Sequence, residues 1–511
     1  MYKASGKIFE SLRSEILENQ FVYLLLFFIL ILSFFVRVYR LGDLMGFYYD
    51  QGRDALVIWE LWHKKDIFLI GPVTGLPGIF LGPFYYYLIA PFYLLSRGDP
   101  LLSGMFLAFL STLAIFMLYY LGWKFHSRAS GIIASAIGAF SYYIVLTGRW
   151  LSNPNPIQLT SLLLLFSMYK VATHHDRRWW IAIFFIAGVS MHFEAASAIF
   201  YLPMILVFAI WRRNHLPGIK IVLVSIAMFF LTFLPQVIFN FVHDNILSDN
   251  FKQVFLEEKS FRYDFWTVLP LRLRFFWDVF HSKLFPGWLG FSAVFSTLSA
   301  MVLVAKRSEL ARSKALILLA IFIGIPMLGF IGFQGNHGNI YDYYMTGYYL
   351  PMILLFSLGL GIIWEDGAGK MSVLIFFLFF FALNGVLIKN NLRAGVDGPT
   401  HITLGNQLQS VDWVFKDSAP RGEFNVDVYV PPVIPYTYDY LFLWQGTKRC
   451  GDSLCNLVAD RRVSLLYTLY EVDPPHPERL EAWLKRQEGI GKVFDETRFG
   501  GIVVQRRMRY L

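Results

Sequence analysis

Charged residues are scarce in this chain of 511 residues: only 16% are Asp, Glu, Lys or Arg, whereas 56% are hydrophobic. Soluble globular proteins carry about a quarter charged residues. The scarcity therefore excludes an ordinary soluble protein and indicates a polytopic α-helical membrane protein. The formal net charge of +9 gives no argument for a nucleic-acid partner, because Lys and Arg of membrane proteins gather on the cytoplasmic side.

Cysteine is almost absent, and so are the common nucleotide and metal motifs. Cys450 and Cys455 are the two cysteines. They are too few for a structural zinc site, and they are candidates for a disulfide if they face an oxidising compartment. The sequence contains no Walker-type Gly-rich loop, no strand-linked Gly-x-Gly-x-x-Gly and no His-Glu-x-x-His. We therefore predict no metal site and disfavour both nucleotide hydrolysis and a Rossmann-type nucleotide-sugar site.

Long apolar runs recur from residue 21 to residue 389. If every run crossed the membrane once, two basic loops would fall on the side opposite to the N-terminus, against the positive-inside rule. The conflict disappears if the run 80–96, interrupted by Pro83 and Pro91, only dips into the membrane and the run 179–211 is split near His192 and Glu194. This arrangement predicts about eleven spans, a cytoplasmic N-terminus and an extracytoplasmic C-terminus.

The preferred topology collects the polar segments on the outer face, where a catalytic cleft is their simplest use. The candidate site residues that it brings to this side are Asp50, Arg53, Asp54, Arg97, Arg149, Asn153, His192, Glu194, His337 and Tyr341.

The polar stretch 41–54 follows directly on the first apolar run and is the leading candidate for an active site. Ala55, Ile58 and later Trp residues recur at helical spacing, so the sequence predicts a short amphipathic helix capped by Asp50 and lying at the water–lipid boundary. Asp50, Arg53 and Asp54 would then share neighbouring turns. The alternative is a simple N-cap followed by solvated interfacial charges.

Other polar residues also allow two interpretations. His192 and Glu194 interrupt an apolar run, so they face an interior cavity or form a structural pair at a helix break. Arg149 and Asn153 are interfacial anchors or ligands for an anionic headgroup.

The polar, aromatic loop 334–344 is either an ordinary connection between two spans or a source of hydrogen bonds to a phosphate or a sugar. In the second case, His337 and Tyr341 are its candidate binding residues.

After about residue 390 the aliphatic runs shorten and strand-like pieces appear, which predicts a small soluble α/β domain over 390–511. The predicted helices are 406–417 and 477–487, and the predicted strands are 424–430, 440–444, 463–470 and 501–505.

The layout resembles that of a known enzyme class. A first span is followed by a polar loop with an acidic motif, by Gly82-Pro-Phe-Tyr-Tyr-Tyr-Leu and, after a further span, by Gly148-Arg-Trp-Leu-Ser-Asn-Pro. Together with a C-terminal outer domain, these features resemble membrane glycosyltransferases of the GT-C class, in the branch of protein O-mannosyltransferases and aminoarabinose transferases. The resemblance extends over residues 15–390 and is clearest over 40–215.

The resemblance implies a GT-C fold over residues 1–389, with a catalytic outer loop at 39–100, in a multi-pass protein of the plasma or inner membrane. It implies that Asp50 is the general base. The family often has a second acid next to this residue, where this chain has Gln51, so either Asp50 acts alone or Asp54 shares its role.

The implied donor is a polyprenyl-phosphate-linked hexose or pentose, with no additional cofactor required. Arg53, Arg97 and Arg149 are the candidates for stabilising the lipid phosphate as it leaves. We expect inversion at the anomeric carbon.

Membrane lipids are the other expected partners, and the acceptor stays open among protein, lipid and glycan. Two rival functions are a lipid or polysaccharide transporter and an oligosaccharide ligase or polymerase.

Overall fold

A computed structural model describes residues 13–76, 78–257, 265–333, 339–396, 398–431 and 434–510. It is mostly helical up to residue 393 and ends in a small four-stranded sheet with three helices. The helices of the first part are α1 Gln20–Val38, α2 Leu41–Leu44, α3 Tyr49–His63, α4 Phe84–Leu95, α5 Pro100–Phe125, α6 Arg128–Phe140, α7 Tyr142–Arg149, α8 Ile157–His174, α9 Trp179–Met191, α10 Ala195–Ala198, α11 Tyr201–Trp211, α12 Ile219–Thr232, α13 Leu234–Val242, α14 Ile246–Lys252, α15 Phe265–Ser282, α16 Leu289–Ala305, α17 Arg307–Arg312, α18 Ala315–Gly332, α19 Tyr349–Glu365 and α20 Lys370–Arg393.

Within the described ranges, four helices are long and apolar enough to cross a membrane, namely α1, α5, α18 and α20. Two further candidates are pairs bent at a short break: α6 with α7, by 64°, and α12 with α13, by 53°. Counting each pair as one span gives six. The protein therefore has the helical spans expected of a membrane protein, while the count of eleven is not confirmed and stays a prediction.

The predicted break in the run 179–211 is confirmed. Helix α9 ends at Met191, and Glu194 caps the next short helix by accepting a hydrogen bond from the Ala196 amide at 3.1 Å. Helix α4 is likewise short, and it begins directly after Pro83. Such breaks free backbone groups, and an acidic cap satisfies one of them.

The C-terminal part contains helices α21 Leu404–Ser418, α22 Tyr436–Cys450 and α23 Pro477–Glu488 beside strands β1 Phe424–Tyr429, β2 Leu465–Glu471, β3 Gly491–Phe499 and β4 Ile502–Arg509. The strand order is β1-β2-β4-β3, and only the β1–β2 pair is parallel. Both predicted helices are confirmed, as are the strand predictions at 424–430, 463–470 and 501–505. A disulfide joins Cys450, the last residue of α22, to Cys455.

Two features of this sheet were predicted wrongly. The segment 440–444 is part of α22 rather than a strand; its aromatic residues favour strands by propensity, but Tyr440, Leu441 and Trp444 share one buried helical face. Strand β3 was missed because most of its side chains are at least partly exposed and many are charged, so the sequence lacks a clear apolar alternation.

Candidate functional site

Arg53 lies between the two acidic residues of α3. Its Nη1 contacts Asp50 Oδ1 at 2.9 Å, and its Nη2 contacts Asp54 Oδ1 at 2.7 Å. The Asp50 side chain is 55% exposed, whereas that of Asp54 is only 5% exposed. The two carboxylates therefore differ in what they can do. The Asp50 carboxylate is accessible to a substrate, whereas the buried Asp54 carboxylate forms an ion pair with Arg53.

The predicted N-cap was wrong. Helix α3 begins at Tyr49, so Tyr48 is the capping residue and Asp50 is the second residue of the helix. The helix begins earlier than expected because the Gln51 side-chain oxygen accepts a hydrogen bond from the Tyr48 amide at 3.0 Å. Asp50 is thereby free of a capping role, and its carboxylate pairs with Arg53 instead.

Burial raises the pKa of Asp54 to about 6, although Arg53 opposes the shift. The Tyr86 hydroxyl also donates to Asp54 Oδ1, at 3.1 Å, and this contact likewise favours the carboxylate. Asp54 is therefore a buried group that takes up a proton under mildly acidic conditions.

Gln51 also connects α3 to the segment after α7. Its side-chain amide donates to the Leu151 carbonyl at 3.0 Å. Two residues further along, the Asn153 amide donates to the Phe193 carbonyl at 2.6 Å. An ionised carboxylate at position 51 could not make the first bond, because it has no donor. Gln51 therefore makes a contact that an ionised acid beside Asp50 would not make.

The turn that carries Phe193 closes a ring of contacts back to α3. His192 Nδ1 lies 3.4 Å from the Phe84 amide, and a Cβ at Gly82 would lie only 2.0 Å from the same ring nitrogen. Tyr86, on the helix that starts at Phe84, then reaches Asp54. Four chain segments, at 49–54, 151–153, 192–194 and 82–86, are thus linked by a closed series of hydrogen bonds that includes α3.

The apolar face of α3 packs on protein, and its position at the water–lipid boundary stays a prediction. Ala55 and Ile58, on its apolar face, are fully buried. The helix packs on α22 of the C-terminal part, where the Trp59 and Tyr440 ring centroids lie 6.2 Å apart. Amphipathic spacing cannot distinguish a lipid partner from a protein partner, because both cover an apolar stripe.

Arg149 and Arg97 have different surroundings. The Arg149 guanidinium donates to the backbone carbonyls of Val36, Arg37 and Tyr39, and this is the contact pattern of an anchor. The Arg97 side chain is exposed, while its carbonyl accepts a hydrogen bond from α22. Among the described side chains, neither guanidinium pairs with Asp50, so their roles as substrate ligands stay predictions.

The remaining candidates lie farther along the chain. Tyr341 is 44% exposed and stacks on Tyr343, with ring centroids 5.6 Å apart. Glu194 is buried and caps α10, as its structural interpretation expects. His337 lies outside the described residues.

Lys283 is a cationic residue that the sequence analysis missed. Its ammonium contacts both oxygens of Asp342 at 3.1 Å and lies 4.3 Å from the centre of the Tyr349 ring. Its side chain is only 3% exposed, and burial lowers the Lys283 pKa although Asp342 opposes this. The available signal was a single Lys after the aromatic run of α15, a costly position for an unpaired charge.

Over the residues that the structure describes, no three His, Cys, Asp or Glu side chains form a group that could hold a metal ion. Independence from metals and other cofactors stays an expectation.

Comparisons with known proteins agree with this architecture. Residues 81–239 match the model of the Dolichyl-phosphate-mannose-protein mannosyltransferase family. That range includes α4, the Gly148-Arg149-Trp150 element and the turn at 192–194. A comparison with proteins of curated function found no match.

Solved structures share the fold over nearly the whole chain. ArnT from Cupriavidus metallidurans in the apo state has a TM-score of 0.57 at 12% identity, covering 95% of this chain and 97% of that one. ArnT from the same organism bound to undecaprenyl phosphate has a TM-score of 0.55 at 12% identity, with the same coverage.

The archaeal oligosaccharyltransferase AglB from Archaeoglobus fulgidus, in complex with an inhibitory peptide and a dolichol-phosphate, has a TM-score of 0.52 at 11% identity. The match covers 95% of this chain and 74% of the AglB chain. The family match and the shared fold confirm the resemblance to GT-C membrane glycosyltransferases of the protein O-mannosyltransferase and aminoarabinose transferase branch.

Proposed function

We propose that this protein transfers a sugar from a polyprenyl-phosphate carrier to an acceptor at the outer face of a membrane, with Asp50 as the general base. The observation that carries the proposal is the Asp50–Arg53 pair: an exposed carboxylate held at 2.9 Å by a largely buried guanidinium, on a helix that hydrogen bonds link to the other segments of the site. The solved structures of similar fold include one with bound undecaprenyl phosphate and one with a dolichol-phosphate, which supports a lipid-phosphate donor.

The chemistry uses a carboxylate of this kind directly. An acceptor hydroxyl or amine is a weak nucleophile until its proton can be transferred, and a carboxylate within hydrogen-bond reach accepts that proton as the attack proceeds. The acceptor forms a new bond to the anomeric carbon. The bond from that carbon to the phosphate oxygen breaks, and its electron pair leaves with the polyprenyl phosphate. One base and one displacement give inversion at the anomeric carbon.

The leaving phosphate gains negative charge and needs cationic partners. Arg53 is occupied by two carboxylates and Arg149 by backbone carbonyls, so among the predicted arginines the exposed Arg97 is the better candidate. Lys283 is a second candidate, because its ammonium is already desolvated and a phosphate could share it with Asp342. If Lys283 has this role, Lys283→Met raises the donor KM, and an unchanged KM removes it from the site.

We further propose that the N-terminus is cytoplasmic and that residues 390–511 are extracytoplasmic, in a plasma or inner membrane. The basic loops support this orientation through the positive-inside rule. Residues 1–389 would form the transferase domain, with residues 39–100 as its catalytic loop and about eleven spans in total.

The testing experiment offers the purified protein a panel of radiolabelled polyprenyl-phosphate hexoses and pentoses. Envelope membranes from a strain lacking this protein supply the acceptors. We expect covalent transfer from one donor, and the configuration of the product's anomeric carbon tests inversion. Label that crosses a vesicle membrane without forming a covalent product would identify a transporter instead.

The shared fold with an archaeal oligosaccharyltransferase supports a second candidate, an oligosaccharide ligase or polymerase. Such an enzyme uses a donor with a larger glycan on a lipid diphosphate. Including diphosphate-linked oligosaccharides in the panel separates the two: transfer of the oligosaccharide alone would favour this candidate.

A further inference from the structure

The backbone immediately before the catalytic helix is held by the C-terminal part of the chain. Gln407 Nε2 donates to the Phe47 carbonyl at 3.0 Å, and Thr437 Oγ1 donates to the same carbonyl at 3.3 Å. The Leu404 amide donates to the Met45 carbonyl at 2.9 Å. We call Leu404, Gln407 and Thr437 the C-terminal clamp. Its hydrogen bonds end three residues before Asp50, on the segment that leads into α3.

Helix α3 also approaches the backbone of α22 too closely for any side chain to fit between them. A Cβ placed on Gly52 would lie 2.3 Å from the Thr437 backbone nitrogen and 2.5 Å from its Cα. Real Cβ atoms do not come so close to backbone, so only glycine permits this contact. Gly52 lies between Asp50 and Arg53 in sequence. The close approach therefore fixes the very turn that carries the ion pair.

The far end of the 39–100 segment is tied to the same helix. Trp444 Nε1 donates to the Arg97 carbonyl at 2.9 Å, and the Tyr440 hydroxyl donates to the Gly98 carbonyl. Helix α22 thus holds both ends of the loop that contains Asp50.

The side-chain amide of Gln407 in the C-terminal clamp is itself held in place. Gln407 Nε2 donates to Glu471 Oε1 at 3.2 Å as well as to Phe47. The Tyr438 hydroxyl donates to the same Glu471 oxygen at 3.0 Å. Gln407 and Glu471 are both buried, so the direction of the amide is set by protein groups rather than by water.

We infer that the C-terminal domain positions the general base: Gln407 and the Gly52–Thr437 contact hold α3 so that Asp50 meets the acceptor. This inference rests on the proposed function and assigns a role to the C-terminal domain within it. Gln407 and Gly52 are positioning residues, since neither contacts the reacting atoms. A misplacement of about 1 Å at a reacting group can lower a rate about a hundredfold, so a small shift of α3 is enough to affect transfer.

The first test compares two glycine variants of the full-length protein, Gly52→Ala and Gly42→Ala. Gly42 lies in the same loop, but a Cβ there would meet only the flexible Leu101 side chain, at 3.7 Å. We expect Gly52→Ala to lower kcat by about tenfold or more while the donor KM changes little, and Gly42→Ala to keep the wild-type kcat. A folded Gly52→Ala protein with wild-type kcat would overturn the inference.

The second test remains decisive if Gly52→Ala does not fold. Gln407→Leu removes the clamp donor, and Gln487→Leu is its control, because Gln487 is equally buried in the same domain but donates to Asp427. Both changes should lower the melting temperature, but only Gln407→Leu should lower kcat, again by about tenfold with little change in donor KM. Equal kcat values in the two variants would overturn the inference. Absence of transfer by the wild-type protein would instead count against the proposed function.

Discussion

Arg149 donates a hydrogen bond to the backbone carbonyl of Arg37 at 3.2 Å, while the Arg37 guanidinium donates to the Gly138 and Ala139 carbonyls. Each arginine therefore satisfies backbone acceptors at a helix end: Arg149 at the end of α1, and Arg37 at the break between α6 and α7. Such carbonyls have no partner within their own helix. The pair fixes the first span against the bent helix pair that leads to the site.

We expect Arg149→Met to lower the free energy of unfolding by about 3 kcal/mol, because it leaves several buried carbonyls without a donor. Arg149→Lys should recover part of that loss, since an ammonium also donates. Thermal unfolding of the purified protein in detergent measures both. A variant with unchanged melting temperature but a raised donor KM would show that Arg149 binds the anionic headgroup instead.

The Arg53–Asp54 contact predicts a specific pH dependence of transfer. Because the Asp54 pKa is about 6 in the folded protein, the carboxylate takes up a proton as the pH falls through 6, and Arg53 loses a charged partner. We expect kcat to fall over this range. Asp54→Asn should lack this acidic limb and should already be slower at pH 7.5, by about tenfold or about 1.4 kcal/mol of activation free energy. An acidic limb near pH 6 that persists in Asp54→Asn would contradict this assignment.

Glu471 predicts a pH dependence of stability rather than of the transfer rate. Burial raises its pKa to about 7, so between its ordinary value of 4.5 and 7 the folded state binds more protons than the unfolded state. The contribution of Glu471 to stability must then decrease as the pH rises from about 4.5 to about 7. Glu471→Gln keeps an oxygen that can accept from Gln407 and Tyr438, and it should remove this decrease. Melting temperatures measured from pH 5 to pH 8 give the comparison, and parallel curves for the two proteins would refute it.

The disulfide between Cys450 and Cys455 tests the proposed orientation. If residues 390–511 are extracytoplasmic, the two cysteines should be oxidised in freshly isolated protein. Replacing both by Ser should cost about 2 kcal/mol of folding free energy, because the closed loop is short. Mass spectrometry with and without reductant measures the oxidation state. Free thiols in the isolated protein would count against an extracytoplasmic domain.

Much of the architecture could be predicted from local patterns. The interrupted run around His192 and Glu194 indicated a helix break, because charged groups within an apolar run are costly, and the break is present. The spacing of Ala55 and Ile58 indicated a helix with one apolar face, and α3 is that helix. Patterns of this kind are set by neighbours in sequence, so a single chain reveals them.

The partners of these elements could not be predicted, because they depend on distant segments. The packing of α3 on α22 involves contacts that helical spacing does not encode. Gln407 lies 360 positions from the carbonyl that it binds. The aromatic residues around Tyr440 favoured a strand locally, and tertiary packing made them a helix.

The central claim is that Asp50 removes the acceptor proton, and the most direct test is the transfer rate of Asp50→Asn with the donor found in the panel. Asp43→Asn is the matched control, because Asp43 also pairs with an arginine three positions away in sequence, at 3.1 Å, and is similarly exposed at 56%. We predict that Asp50→Asn lowers kcat by about a hundredfold or more without changing the melting temperature, whereas Asp43→Asn transfers sugar at the wild-type rate. A folded Asp50→Asn protein with the wild-type kcat would contradict the account.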